Sequence, residues 1–364
     1  MKKTLIALAA LAATGAFAQN VTVYGRLDAG YAATTNSTTQ AGVNTDTKSS
    51  GVQSHNSVSS MWGLKGTEDL GGGMNAFFIL EQDIYPANGT VGQTGAAGGV
   101  STAAAPNPAA GFNRTSLVGV NGGFGSVSFG RDYNFVFKLI GATDVMSLSR
   151  LSTVQLAANI GGSTIANMVN YSTPNFGGFM VNLNYGNQDT SSGATTNQTK
   201  VTAITGTYAN GPLFVGIGSG NTTVTTTGDT KTDGTALGAS YDFGKFKLAG
   251  NYITSKSTSI AGAITADATE TNLGATMPIG KITLAAQIGR NTLKADSGTD
   301  VSGTDWVLGA DYALSARTAL FVKTGVYGKA SGTLVTDGTY DTKNTSTAIG
   351  IKTSFEFDAG VSQY

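Results

Sequence analysis

Of 364 residues, 22 are Lys or Arg and 22 are Asp or Glu, so charged residues make up 12%, about half the roughly 25% of an ordinary soluble domain. Glycine numbers 51 and proline only 6, which excludes a collagen repeat and argues against a Pro/Gly-rich disordered tract. With no cysteine there is no disulfide framework, thiolate metal site or Cys nucleophile, and a formal net charge of zero offers nucleic acid no footprint.

Met1-Lys2-Lys3, the apolar run Leu5 to Ala13 and the small-x-small end Ala16-Phe17-Ala18 have the order of a secretory leader, so residues 1–18 are expected to be removed before Gln19. The run is shorter than the ~20 residues that span a bilayer as a helix. Beyond it no stretch of 18 apolar residues occurs, so the exported chain is either secreted or crosses lipid as a closed barrel.

Val21, Val23, Leu27, Ala29 and Tyr31 fall on one side of an extended chain and Thr22, Tyr24, Arg26 and Asp28 on the other. The same period predicts strands near 57–67, 73–84, 112–121, 125–134, 166–173, 178–186, 200–209, 212–219, 235–242, 245–254, 269–277, 281–291, 304–312, 317–327 and 345–355, sixteen in all. Their connections alternate between short turns, such as Asn210-Gly211 and Phe243-Gly244, and long stretches rich in Thr, Ser, Gly and Asn at 32–56, 85–111, 135–165, 187–199, 220–234, 255–268, 292–303 and 328–344. Short turns on one side and long loops on the other predict a 16-stranded antiparallel transmembrane β-barrel.

Charge supports this, because a Lys or Arg facing lipid at mid-depth costs roughly 2–4 kcal/mol. Ile282, Leu284, Ala286 and Ile288 oppose Lys281, Thr283 and Gln287; Trp306, Leu308, Ala310 and Tyr312 oppose Asp305 and Asp311; Ile349, Ile351 and Phe355 oppose Lys352. The segment 200–209 alternates poorly. A polar, charged inner side needs water, and a closed sheet of this many strands encloses an aqueous channel. Trp62, Tyr85, Tyr252, Trp306 and Tyr327 near strand ends suggest interfacial girdles.

Six spaced blocks carry a family resemblance: Val21-Thr22-Val23-Tyr24-Gly25-Arg26-Leu27-Asp28-Ala29-Gly30, Gly63-Leu64-Lys65-Gly66-Thr67-Glu68-Asp69-Leu70-Gly71-Gly72-Gly73, Gly111-Phe112-Asn113-Arg114, Gly122-Gly123-Phe124-Gly125 with Gly130-Arg131-Asp132-Tyr133, Tyr171-Ser172-Thr173-Pro174-Asn175-Phe176-Gly177-Gly178, and Ala310-Asp311-Tyr312-Ala313-Leu314-Ser315. In these the chain resembles the general diffusion porins of Gram-negative outer membranes, most closely the beta-proteobacterial type. The resemblance implies a homotrimer in the outer membrane, each barrel having loop 3, about Asn134 to Ile165, folded into the lumen. It implies a constriction at which Arg26, Lys65, Arg114 and Arg131 face the acidic side of loop 3, where Asp144 is the only acid; strand alternation places Asp28, Glu81, Lys245, Lys247, Lys323 and Lys352 on the lumen wall. Arg131 shares a parity with Val127 and Phe129, so it reaches the lumen only through a bulge or by the loop starting at Gly130. Where the family commonly places an Arg, this chain has Met61. The barrel is expected over 19–355, with 356–364 a short C-terminal extension or the end of the last strand.

Enzyme chemistry finds little support: His55, the only histidine, lies in a long loop where a solvent-exposed side chain is expected. Gly119, Gly122, Gly123 and Gly125 lack the Gly-Lys-Ser/Thr of a phosphate loop and read as a tight turn. Asp296 with Asp300, or Asp337 with Asp341, match no cation-loop spacing, and no metal or cofactor is implied. Expected inward cations outnumber expected inward acids, which points to passive diffusion of small hydrophilic solutes and ions with a mild anion preference. The alternatives are a substrate-specific porin, or a plugged barrel whose outer loops act as a surface adhesin.

Overall fold

A computed structural model describes residues 20–40, 42–92, 111–156, 164–192, 195–225, 230–259, 264–294, 300–334 and 338–358. The expected leader, Asp296, Asp337, the end of loop 3 at 157–163 and the tail from 359 lie outside them. In chain order the elements are β1 (Asn20–Gln40), β2 (Val43–Ser54), β3 (Met61–Gly71), β4 (Met74–Tyr85), β5 (Thr90–Val91), β6 (Ser116–Gly122), β7 (Gly125–Tyr133), α1 (Phe135–Ala142), β8 (Thr164–Ser172), β9 (Phe179–Ser192), β10 (Thr195–Asn210), β11 (Leu213–Thr225), β12 (Thr230–Asp242), β13 (Lys247–Ser259), β14 (Ile264–Ile279), β15 (Ile282–Lys294), β16 (Val301–Ala313), β17 (Thr318–Leu334) and β18 (Gly338–Asp358).

Sequential strands pair antiparallel, and β1 also pairs with β18 from Thr22↔Asp358 to Gln40↔Tyr340, which closes the sheet. Because β2 and β3 both lie along β1 and β5 is a two-residue partner of β4, eighteen strands make a wall of sixteen staves. Closure leaves no sheet edge whose amides and carbonyls would meet lipid unpaired.

Alternation gives the wall two unlike faces. Leu284, Ile288, Trp306, Leu308, Tyr312, Ile349 and Ile351 are exposed on the outer one. Asp28, Asn251, Glu270, Asn272, Gln287, Asp305 and Lys323 are buried on the inner one. An apolar belt of this extent marks a surface made to contact something other than water.

Strands end within a few residues of expectation at the short turns and run into most of the expected long loops, but not into those expected at 85–111 and 135–165: β4 ends at Tyr85, β7 ends at Tyr133, and β6 begins only at Ser116, so that 112–115, expected to be strand, is not. The first loop, expected at 32–56, is mostly a hairpin pairing Gln40 with Val43 and continuing to Ala29 with Ser54. Hydrogen bonding persists there after the hydrophobic alternation stops, since both faces of β2 above the belt are exposed. Residues 57–60, expected to be strand, leave the ladder instead: between Ala29↔Ser54 and Arg26↔Met61, two residues of β1 oppose six of the next stave.

The sequence also hid α1. Asn134 caps it by accepting from the Phe137 amide at 2.7 Å, and Val136, Phe137, Leu139 and Ile140 pack with Ala203, Ala236 and Ile253 of β10, β12 and β13. This contact explains the poor alternation of 200–209: Val201 and Ala203 are apolar and buried on the face opposite Ile204 because α1 covers that face. It also explains four of the glycines. A Cβ at Gly216 would meet Leu139, one at Gly218 Val136, one at Gly238 Thr143 and one at Gly274 Val145, so the α1 segment seats on bare backbone.

Candidate functional site

Polar side chains gather where β1, β3, β4 and the start of β6 lie side by side. Register aligns Arg26 with Met61 and Met61 with Asp83. Thus the position without the family's Arg holds a buried methionine between a cation and an acid. Arg114, just before β6, donates from Nη1 to Asp83 at 2.6 Å, stands 3.8 Å from Glu81, and has its guanidinium 5.3 Å from the Tyr133 ring centre. Tyr24 donates to Glu81 at 2.8 Å, Asn113 donates to Asp83 at 2.8 Å, and Arg26 donates from Nε to the Ser59 carbonyl at 2.7 Å.

Arg131 joins this group through the irregularity its parity demanded. The β7–β8 register shifts between Gly130 and Asp132, with Gly130 at φ 139°, and Arg131 donates to the Asn113 carbonyl at 2.6 Å and to Thr164 at 2.8 Å. Lys65 lies farther along β3, pairs with Glu356 at 2.7 Å and sits 5.0 Å over the Tyr24 ring. Asp83 and Asp132, the latter paired with Lys138 at 2.7 Å, were not among the expected site residues. Asp83 shares the parity of Glu81 on β4, and that alternation is the signal that could have found it.

The expected acidic partner Asp144 lies elsewhere and is almost wholly buried. It accepts from the Met146 and Leu148 amides, from Ser152, and from Gln287 of β15 at 2.7 Å. Glu270 of β14 accepts from the Gln155 and Leu156 amides at 2.9 and 2.8 Å, and Thr153 donates to Asn272 at 2.6 Å. Arg150 donates to Thr34 of β1 at 2.9 Å. Residues 134–156 therefore contact inner-face groups from β9 around to β1.

Other expected wall residues differ in their surroundings. Asp28 is buried and accepts from the amides of 56–58. Lys323 is buried and donates to the Ser57 carbonyl at 3.1 Å, and Lys352 pairs with Asp311 at 2.8 Å. Lys247 is half-buried on the inner face, whereas Lys245 is exposed in a turn that the Phe243 amide closes on the Phe246 carbonyl at 2.8 Å. His55 is not solvent-exposed: its Nε2 is 3.1 Å from the Ile84 carbonyl and its ring centre 4.4 Å from that of Tyr85. Tyr327 is buried with Met146, Leu151 and Phe321 and so belongs to no girdle, unlike the exposed Tyr252 and Trp306.

Residues 4–333 match the family model described as Gram-negative porin. The chain belongs to that family. It is 34% identical over 301 residues to outer membrane porin protein 32 of Delftia acidovorans, spanning 78% of this chain and 77% of the relative. It is 30% identical over 289 residues to an outer membrane porin protein of Bordetella pertussis, covering 68% of each. Among solved structures, an anion-selective porin from Comamonas acidovorans superposes with a TM-score of 0.72 at 26% identity, covering 93% of this chain and 100% of that one. The porin is thus a channel of the outer membrane and not an enzyme, and its apolar belt is its lipid-facing surface.

Proposed function

We propose that this porin passes small hydrophilic solutes and ions by passive diffusion with a mild preference for anions. Loop 3 narrows the lumen, and Arg26, Lys65, Arg114 and Arg131 filter by charge. The observation that carries the reading is an asymmetry of burial. Asp28, Asp132, Asp144, Glu270 and Asp305 are each less than 9% exposed, whereas among the described residues Lys323 is the only inner-face cation so covered. All five of these acids accept from backbone amides or side-chain amides, while the Lys65, Lys138 and Lys352 side chains keep 46, 42 and 27% of their surface. Glu356 and Asp311, the partners of Lys65 and Lys352, keep 52 and 28% of theirs, so the lean toward uncovered cation is small and rests on Lys138, whose partner Asp132 keeps 7%, and on the covered acids.

Pairing and water moderate the effect, since Arg114 faces Asp83 and fields decay over about 8 Å in physiological salt. Support for the narrowing comes from the contacts of residues 134–156 with opposite parts of the inner wall. The Comamonas acidovorans porin, itself anion-selective, agrees in sign. Reversal potentials across a planar bilayer under a KCl gradient test the reading: a potential of the sign set by chloride is expected, and a cation-selective one would overturn the preference. The homotrimer in this reading rests on family resemblance, and cross-linking in isolated outer membranes is expected to trap three copies.

A further inference from the structure

The interruption between β2 and β3 does more than break a ladder. Six residues, His55 to Ser60, stand where β1 offers two, and this excess turns toward the inner face. Asn56, Ser57 and Ser60 are at most 2% exposed, although they are polar residues in a segment without ladder pairing. Burial of so much backbone requires partners for its amides and carbonyls.

Asp28 of β1 is the acceptor for three of the amides. Its carboxylate accepts from the amides of Asn56 at 3.1 Å, Ser57 at 2.5 Å and Val58 at 2.8 Å. Its own amide donates to Ser60 Oγ at 2.8 Å, and that hydroxyl donates back to the Asp28 carbonyl at 3.2 Å. Three amides on one carboxylate form an anion nest, here closed on the chain itself.

Held this way, the segment reaches charges on the neighbouring staves. The Ser57 carbonyl accepts from Lys323 of β17 at 3.1 Å, and Ser57 Oγ from Lys352 of β18 at 3.2 Å. Lys323 also reaches Ser149 Oγ at 3.3 Å, and the Arg150 amide donates to the His55 carbonyl at 3.0 Å, so the segment and loop 3 meet over the same lysine. The Ser59 carbonyl takes the Arg26 guanidinium, fixing one of the proposed filter residues.

We propose that Asp28 is a positioning residue for permeation: it holds His55–Ser60 as a second narrowing segment beside loop 3, covers Lys323 and Lys352, and orients Arg26. The proposal deepens the channel reading above and rests on it. Releasing the segment widens the lumen and uncovers two lysines, so conductance and anion preference rise together. Loss of a merely structural bond would lower the stability of the barrel and leave selectivity unchanged.

The test uses the full chain refolded into planar bilayers, with heat-modifiable gel mobility as the check of a folded barrel. Asp28→Ala is expected to raise single-channel conductance and shift the reversal potential further toward the chloride limit. A folded Asp28→Ala barrel with wild-type conductance and reversal potential would overturn the proposal alone, whereas a wild-type protein that conducts nothing would overturn the channel reading with it. The natural chain has no cysteine, so a second readout is available should Asp28→Ala not fold. Ser57→Cys is expected to react with a charged, water-borne thiol reagent much more slowly than Thr67→Cys, at an exposed position on β3. Equal rates would mean that the segment does not lie buried against the wall, and would overturn the proposal.

Discussion

Arg114 Nη1 lies 2.6 Å from Asp83 Oδ1, and both side chains are largely covered by the residues around them. Asp83 thus offsets the filter residue nearest to it. Asp83→Asn is expected to strengthen anion preference, because the neutral amide keeps the shape and removes the countercharge. A unit charge about 4 Å away in water is worth about 1 kcal/mol, so the chloride-to-potassium permeability ratio should rise by at most about five-fold. Reversal potentials measured at several salt concentrations check this, with the effect shrinking as salt rises.

Asp144 should matter for order more than for charge. Its removal leaves the Met146 and Leu148 amides and the Gln287 side-chain amide without an acceptor inside a covered site, and Ser152 with only a 3.5 Å contact to Gln287, at about 1–3 kcal/mol for each group left unmade. Asp144→Ala is expected to increase open-channel current noise and to make the region around residues 144–156 sensitive to protease in folded protein. A quiet, resistant variant would show that Glu270 and Lys323 hold the segment without it.

The bare backbone under α1 and its continuation makes a different prediction. Gly274→Val places a branched side chain where Val145 already sits, an overpacking of the sort that costs about 1–3 kcal/mol. The expected result is a lower temperature for loss of folded gel mobility together with altered conductance. Gly244→Val, in an exposed turn at φ 81° with open space around it, is expected to share the thermal effect through backbone strain but leave conductance unchanged.

The two faces of β15 can be distinguished by one substitution on each. Leu284→Lys faces lipid near the short-turn end of β15 and is expected to lose membrane stability by less than the roughly 2–4 kcal/mol of a lysine at mid-depth, seen as poorer folding into bilayers. Thr283→Lys, its inner-face neighbour, is expected to fold normally and shift selectivity toward anions.

The barrel was legible in the sequence because lipid and water impose opposite demands on successive residues, as in Leu284 against Thr283 or Trp306 against Asp305. Strand ends were legible only at the short turns. At the other ends water bathes both faces, as along β2, and pairing leaves no period behind. The site was partly legible: Arg26, Arg114 and Arg131 come together, and the Gly130 irregularity follows from parity. What could not be read was which charges are covered. Asp28, Asp144 and Lys323 carry the same letters as open pore charges, and only the folded segments above them decide their state. The same long-range packing hid α1, whose apolar residues answer to Ala203, Ala236 and Ile253 far along the chain.

The paired arms beyond the belt have a consequence for how their length can vary. β1 and β18 are 21 residues each, while about 9–11 tilted residues cross a bilayer, so roughly half of each stands in the external medium as continuous ladder. An odd residue inserted into one arm must either be absorbed as a kink or reverse the orientation of everything distal to it. Matched additions to both arms at the tip disturb neither. Epitopes grafted there should be accepted in even increments, and those that break the count should bend the rim of the mouth and leave the span in the lipid intact.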